Sequence, residues 1–182
     1  MVYLSLGLLL LGAVTALNLV LVLAVIRRLR RHEDERKKEY ASQGNMQSGP
    51  PVGEPLPTLS AVAIDGSPIT SDALRGREAA LTFLTTDCPA CVAAAGDLPE
   101  FARRTGMDAE QMVVVIAGDE TAARSMAASL AGVAGVVLEE SSGPLHTRYL
   151  IQATPTVVMV DADGTVTYAE AGTHPVLDQL PA

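Results

Sequence analysis

The only two cysteines of this 182-residue chain sit three apart, as Cys88-Pro89-Ala90-Cys91, just after the apolar run Ala79-Ala80-Leu81-Thr82-Phe83-Leu84. A buried strand that feeds a Cys-x-x-Cys at the mouth of a helix is a redox arrangement. The first turn of a helix has unpaired backbone N–H groups and the positive end of the dipole, which favour the thiolate of the first cysteine. One helical turn then brings the second sulfur within disulfide reach. Cys88 is expected to be the exposed nucleophile and Cys91 the buried resolving partner. A four-ligand zinc site would need two more Cys or His ligands. The chain has only His32, His146 and His174, with no paired spacing among them. No metal or other cofactor is expected.

A second feature divides the chain. Leu4 to Ile26 is an apolar stretch of 23 residues without a charge. As a helix it spans on the order of 35 Å, enough to cross a bilayer with some tilt. A cleaved secretory signal would place basic residues ahead of the apolar segment. Here Met1-Val2-Tyr3 precedes it and Arg27-Arg28-Leu29-Arg30-Arg31 follows, so a retained single-pass anchor in the cell membrane is expected. Residues 27–40 carry a net charge of +3, whereas 41–182 carry −11. The basic cluster suits an anionic lipid surface, which makes membrane lipid the expected partner of residues 4–31. The acidic remainder argues against nucleic acid.

These contrasts give three regions. Residues 1–40 are the anchor with a basic juxtamembrane helix. Residues 41–58, rich in Gly, Ser, Gln, Asn and Pro, read as a flexible linker. Residues 59–182 are one folded domain of ordinary size.

Inside that domain strands and helices alternate. Leu59–Ile64 and Pro68–Thr70 flank the Asp65-Gly66-Ser67 turn as a hairpin. Ala79–Thr85 and Met112–Ala117 are buried strands, with a helix from Cys88 to Arg104 between them that Pro99 could bend. A helix over Thr121–Leu130, a strand over Val133–Leu138 and a short helix over Gly143–Leu150 follow. Thr156–Val160 and Thr165–Ala169 close the order around the Asp161-Ala162-Asp163-Gly164 turn. A last helix has room for about two turns between His174 and Ala182. The order predicts an α/β sheet with an antiparallel hairpin at its end. His146 and His174 read as surface side chains, Thr85-Thr86 as strand-ending and capping residues, and Met107, Met112, Met126 and Met159 as core filler.

The element order, Cys88-Pro89-Ala90-Cys91, the Ala153-Thr154-Pro155-Thr156 segment and the Val157–Gly164 hairpin together resemble membrane-anchored thioredoxin-like proteins of the TlpA/ResA type, with the MauD type as a close relative. The likeness covers roughly residues 59–174. It implies a thioredoxin-like fold with an N-terminal β-hairpin extension, preceded by one transmembrane helix. It implies a thiol-disulfide oxidoreductase whose partners are protein or small-molecule thiols and disulfides and a redox partner protein. It also implies a cis Thr154–Pro155 bond that lays Thr154 and Pro155 beside Cys88 as the substrate-binding edge.

Three departures from the family stand out. Asp87 precedes Cys88 where thioredoxins carry Trp, and a neighbouring carboxylate opposes thiolate formation, which makes Asp87 a tuning residue. The position of the thioredoxin buried carboxylate is Thr82, and that of the ResA-type glutamate is Ala94, which leaves water or Asp87 to take the proton of Cys91. The final helix is short. Two other readings remain. A peroxiredoxin-like peroxidase is suggested by Thr85 three residues before Cys88, although Leu81 stands where that motif needs Pro and no arginine lies near residue 168. A membrane-tethered scaffold with a structural disulfide is the non-enzymatic reading. Sidedness is pulled both ways. Basic residues that follow the anchor place the domain in the cytoplasm, whereas the family's best-known members work outside it, where protein disulfides form.

Overall fold

The computed structural model describes residues 48–172. Along the chain they form β1 (Ser60–Val62), β2 (Pro68–Thr70), β3 (Ala79–Thr85), α1 (Pro89–Thr105), β4 (Met112–Ala117), α2 (Glu120–Ala128), β5 (Gly135–Glu139), α3 (Pro144–Arg148), β6 (Thr156–Val160) and β7 (Val166–Ala171). β1 and β2 pair antiparallel as the expected hairpin. The other strands make one mixed sheet in the order β5-β4-β3-β6-β7. β4 runs parallel to β3 and β5, and β6 runs antiparallel to β3 and β7.

Strand parity builds a core on each face of this sheet. Successive side chains on a strand point to opposite faces. Leu81, Phe83, Val113, Val115 and Val158 pack with Leu59, Leu145 and Tyr149 on one face. Ala80, Leu84, Met112, Val114 and Ile116 pack with Leu98 and Phe101 of α1 and Ala123 and Ala127 of α2 on the other. β4 is buried at all six positions. Each fully buried Leu, Val or Phe in these layers stabilises by about 1.5–3 kcal/mol.

Helix ends follow local chemistry. α1 begins with Pro89 and ends against Gly106 at φ 71°, with Arg103 and Arg104 in its last turn beside the negative end of the dipole. The helix runs through Pro99, and its buried stripe is Cys91, Ala95, Leu98 and Phe101. α2 starts one residue earlier than the sequence suggests because the Asp119 carboxylate accepts the Ala122 N–H at 2.9 Å. Just before it, Gly118 has φ 129°, and a Cβ there would lie 2.2 Å from Thr86 Oγ1. That hydroxyl accepts the Asp119 N–H at 3.2 Å, which ties the end of β3 to the start of α2, whereas the caps of α1 and α2 are Cys88 and Asp119. β5 begins at Gly135 rather than Val133, whose N–H is taken by Leu130 in a turn. α3 is confined to five residues.

The expected flexible linker needs correction where it is described. The Gly53 N–H donates to Val166 O, Val166 N–H to Glu54 O and Leu56 N–H to Gly164 O. Pro55 forms a bridge with Thr165, so this segment covers the start of β7. A strand edge offers unpaired backbone groups that a neighbouring segment can satisfy, whatever its composition. Among the described residues no helix is long and apolar enough to cross a membrane. The expected anchor at 4–26, the basic stretch to residue 40 and the helix from His174 lie outside the described residues.

Candidate active site

Strand register assembles the site. β3 ends at Thr85, and its partner β6 begins at Thr156, paired with Phe83. The chain entering β6 therefore crosses the carboxyl end of β3, and there the Thr154–Pro155 bond is cis. Cys88 caps α1 with extended backbone, φ −103° and ψ 110°. Its sulfur accepts the Cys91 N–H at 3.3 Å, and its carbonyl accepts the same N–H at 2.9 Å and that of Val92 at 3.2 Å. Its thiol also reaches the Thr154 carbonyl at 3.5 Å. Cys88 is half-buried and Cys91 fully buried, and both are free thiols.

Thr85 ties these parts together. Its Oγ1 lies 3.8 Å from Cys91 Sγ and 2.9 Å from Thr154 Oγ1. Burial, and next the neighbouring Cys88 sulfur, push the Cys91 thiol up to about 11, against smaller lowering by hydrogen bonds from Thr154 and Thr85. Cys91 is thus a neutral thiol at neutral pH. The structure brings Cys88, Cys91, Thr154 and Pro155 to one place. Asp87 enters the wall of an adjoining cleft of about 360 Å³ that Thr85 and Thr154 also line. Among the described residues no group of three or more His, Cys, Asp or Glu side chains could hold a metal ion.

A Redoxin family profile matches residues 51–180. The chain belongs to the Redoxin family. No curated protein sequence matches this Redoxin chain. Solved structures do. A thiol:disulfide interchange protein of the thioredoxin family from Chlorobium tepidum is 21% identical, with a TM-score of 0.56 over 69% of this chain and 90% of that one. A secreted disulfide oxidoreductase of Mycobacterium tuberculosis, homologous to E. coli DsbE, is 24% identical, with a TM-score of 0.52 over 65% of this chain and 84% of that one. An exposed lipoprotein thioredoxin of Streptococcus pneumoniae is 20% identical, with a TM-score of 0.53 over 68% and 97%. At these identities the likeness establishes the thioredoxin-like fold of this Redoxin domain and nothing finer.

Two parts of the site were not legible in the sequence. Ser48, in the expected linker, is fully buried. Its hydroxyl accepts the N–H groups of Gln152 at 3.1 Å and Ala153 at 3.3 Å, and pairs with Thr156 Oγ1 at 2.8 Å. It therefore holds the backbone that leads into the cis bond, and no local pattern marks a serine 108 residues from its partner.

The second is a correction. His146, expected at the surface, is 6% exposed. Its Nδ1 is bonded to the Glu139 carboxylate, which also accepts the N–H groups of Leu145 and His146, each at 2.9 Å. α3 starts Gly143-Pro144 with no capping side chain of its own, so β5 supplies one. Gly143 makes room for it, since a Cβ there would lie 2.6 Å from Glu139 Oε2. The available signal was an acid closing the apolar Val136-Val137-Leu138 run, seven residues before the histidine. Burial pushes the Glu139 carboxyl up, but the His146, Leu145 and backbone bonds outweigh it and leave the group below its ordinary value.

Proposed function

We propose that this Redoxin domain is a thiol-disulfide oxidoreductase, held at a membrane by residues 4–26 and acting through Cys88 and Cys91. The observation that supports this most directly is a half-exposed Cys88 at a helix N-terminus, facing the Thr154 carbonyl across a cis-Pro turn, with a buried Cys91 one turn behind it. In the reductive direction the Cys88 thiolate attacks one sulfur of a substrate disulfide. The other sulfur leaves as a thiolate and takes a proton. Cys91, once deprotonated, attacks Cys88, and the second substrate thiol leaves. The product is a Cys88–Cys91 disulfide, and two electrons have moved to the substrate. The backbone of Thr154 and Pro155 forms the edge along which an extended substrate lies.

In this reading Asp87 tempers the thiolate, because its carboxylate belongs to the residue beside Cys88. Thr85 has the spacing that a peroxidase requires, yet its hydroxyl is engaged with Cys91 and Thr154. Disulfide exchange therefore fits the geometry better than peroxide reduction.

An insulin-reduction assay on the full-length chain tests the reading. Wild type is expected to be active, Cys88→Ser inactive, and Cys91→Ser to accumulate mixed disulfides. Equal activity in wild type and Cys88→Ser would overturn it. A Cys88–Cys91 bridge that resists mild dithiothreitol would instead indicate a structural disulfide.

A further inference from the structure

The oxidoreductase reading leaves open what removes the proton of Cys91, and the cleft beside the dithiol holds an unused base. His146 lies in its wall, with 8% of the side chain exposed, and the ring meets Phe83 edge-on at 5.3 Å. Nδ1 is engaged by Glu139, which is not among the residues that line this cleft. Nε2 is itself buried beneath the cleft surface, and among the described residues it has no hydrogen-bond partner. Buried polar atoms are nearly always paired, so this one, in a residue of the cleft wall, calls for a functional partner or a water admitted from the cleft. A carboxylate that fixes one ring nitrogen leaves the other as an oriented base.

We propose that His146, oriented by Glu139, is the proton acceptor for Cys91, reached through the hydroxyls of Thr85 and Thr154 and a water of the cleft. This rests on the oxidoreductase reading above. The path begins with contacts the structure holds: Cys91 Sγ to Thr85 Oγ1 at 3.8 Å, and Thr85 Oγ1 to Thr154 Oγ1 at 2.9 Å. Both threonines share the cleft with His146, whose polar lining and volume admit water. Thr85 takes the sulfur's proton and passes its own to Thr154, which passes its own to water and so to Nε2. The freed sulfur electron pair forms the bond to Cys88, and the bond from Cys88 to the substrate sulfur breaks, its electrons leaving on the substrate thiolate. The imidazolium formed is balanced by Glu139 and later returns its proton to solvent.

The charged groups around the ring are consistent with that role. Glu139 from β5 and Asp87 from the loop before α1 are both acids. Among the described residues β3 contributes Phe83 against the ring and Thr85 to the cleft, and the loop before β6 contributes Ile151, Gln152, Ala153 and Thr154, all of them uncharged. On its own helix, Arg148 donates to the Thr58 carbonyl, and the neighbouring Tyr149 hydroxyl donates to Pro57 O. A thiol held near 11 needs such a base at neutral pH.

Stopped-flow reaction of the reduced full-length chain, in mild detergent, with one equivalent of an aromatic disulfide separates the two steps. The first aryl thiolate released reports attack by Cys88, and the second reports attack by Cys91 on the mixed disulfide. In wild type the second phase is expected to level off across neutral pH, as it does with a histidine base. His146→Asn keeps an amide N–H for Glu139 but removes the base. It is expected to slow the second phase at pH 7 at least tenfold more than the first, and to make it climb about tenfold per pH unit to pH 9. Thr85→Val, which removes the first hydroxyl and keeps the shape, should give the same selective loss.

A His146→Asn profile that still levels off, or equal slowing of both phases, would overturn the relay while leaving the oxidoreductase reading intact. If His146→Asn does not fold, a wild-type second phase that climbs through pH 9, or a Thr85→Val enzyme with a normal second phase, overturns it equally. A wild type that releases no second thiolate overturns the oxidoreductase reading itself, and the relay with it.

Discussion

Cys88 and Cys91 have the same side chain and sit three residues apart, yet the fold gives them different environments. Cys88, as the capping residue of α1, keeps part of its surface and takes the Cys91 N–H. Cys91 falls on the buried stripe with Ala95 and Leu98 and is pushed up to about 11 by burial. The residue at Cys88's other side is an acid. A like-charged neighbour raises the cost of a thiolate, and the effect shrinks with salt. Asp87→Asn is therefore expected to speed iodoacetamide alkylation of Cys88 at pH 7 by up to about tenfold at low ionic strength, and by less in high salt. Buried Cys91 does not compete for the reagent. An unchanged or slower rate would show that the Asp87 carboxylate does not bear on the thiol.

Between elements, the junction of β5 and α3 ties a helix start to one titratable group. The Glu139 carboxylate takes two N–H groups at the start of α3 and the His146 ring. Its folded-state value lies below the ordinary 4.5, so the unfolded chain binds this proton more readily. The stability it contributes is therefore fully present above about 4.5 and is lost as pH falls through the lower, folded-state value. Glu139→Gln keeps one acceptor but turns an amide towards backbone donors, at a cost on the order of 1–3 kcal/mol at pH 7. Urea midpoints of wild type and Glu139→Gln are expected to differ most at neutral pH and to draw together as pH falls below 4.5 and through the folded-state value. A gap that stays constant with pH would place the carboxylate's contribution elsewhere.

On the scale of the whole chain, a basic cluster beside an apolar segment precedes a strongly acidic stretch of sequence, residues 41–182. Within residues 1–40 all seven Lys and Arg follow the apolar segment, so for the proposed anchor the charge rule favours a cytoplasmic side for the domain. We propose that orientation, with the domain kept reduced and serving as a reductant. Alkaline phosphatase fused after Ala182 in a bacterial host is expected to be inactive. An active fusion would put the domain outside, where disulfides form, and would reverse the charge argument.

The sequence alone determined what depends on local order. The parity of Leu81 and Phe83 against Ala80 and Leu84 specified a strand buried on both faces. Cys-Pro-Ala-Cys after it specified a helix start with one thiol exposed and one buried, because proline supplies the φ of the first helical position and the 3.6-residue turn sets the second sulfur. The resemblance carried by Thr154-Pro155 supplied the cis bond. Tertiary structure decided which polar groups meet. The Phe83 to Thr156 register carries Thr154 to Thr85, and the chain between them, which separates the two by 69 positions, holds no sign of that contact. Composition places Ser48 in a linker because it reports the cost of ordering a segment, not the edge and turn donors waiting to receive it. The burial of His146 is invisible in the sequence because a five-residue helix has no periodicity to show its buried side. Its environment depends on Glu139 reaching back from β5 into the space that Gly143 leaves open.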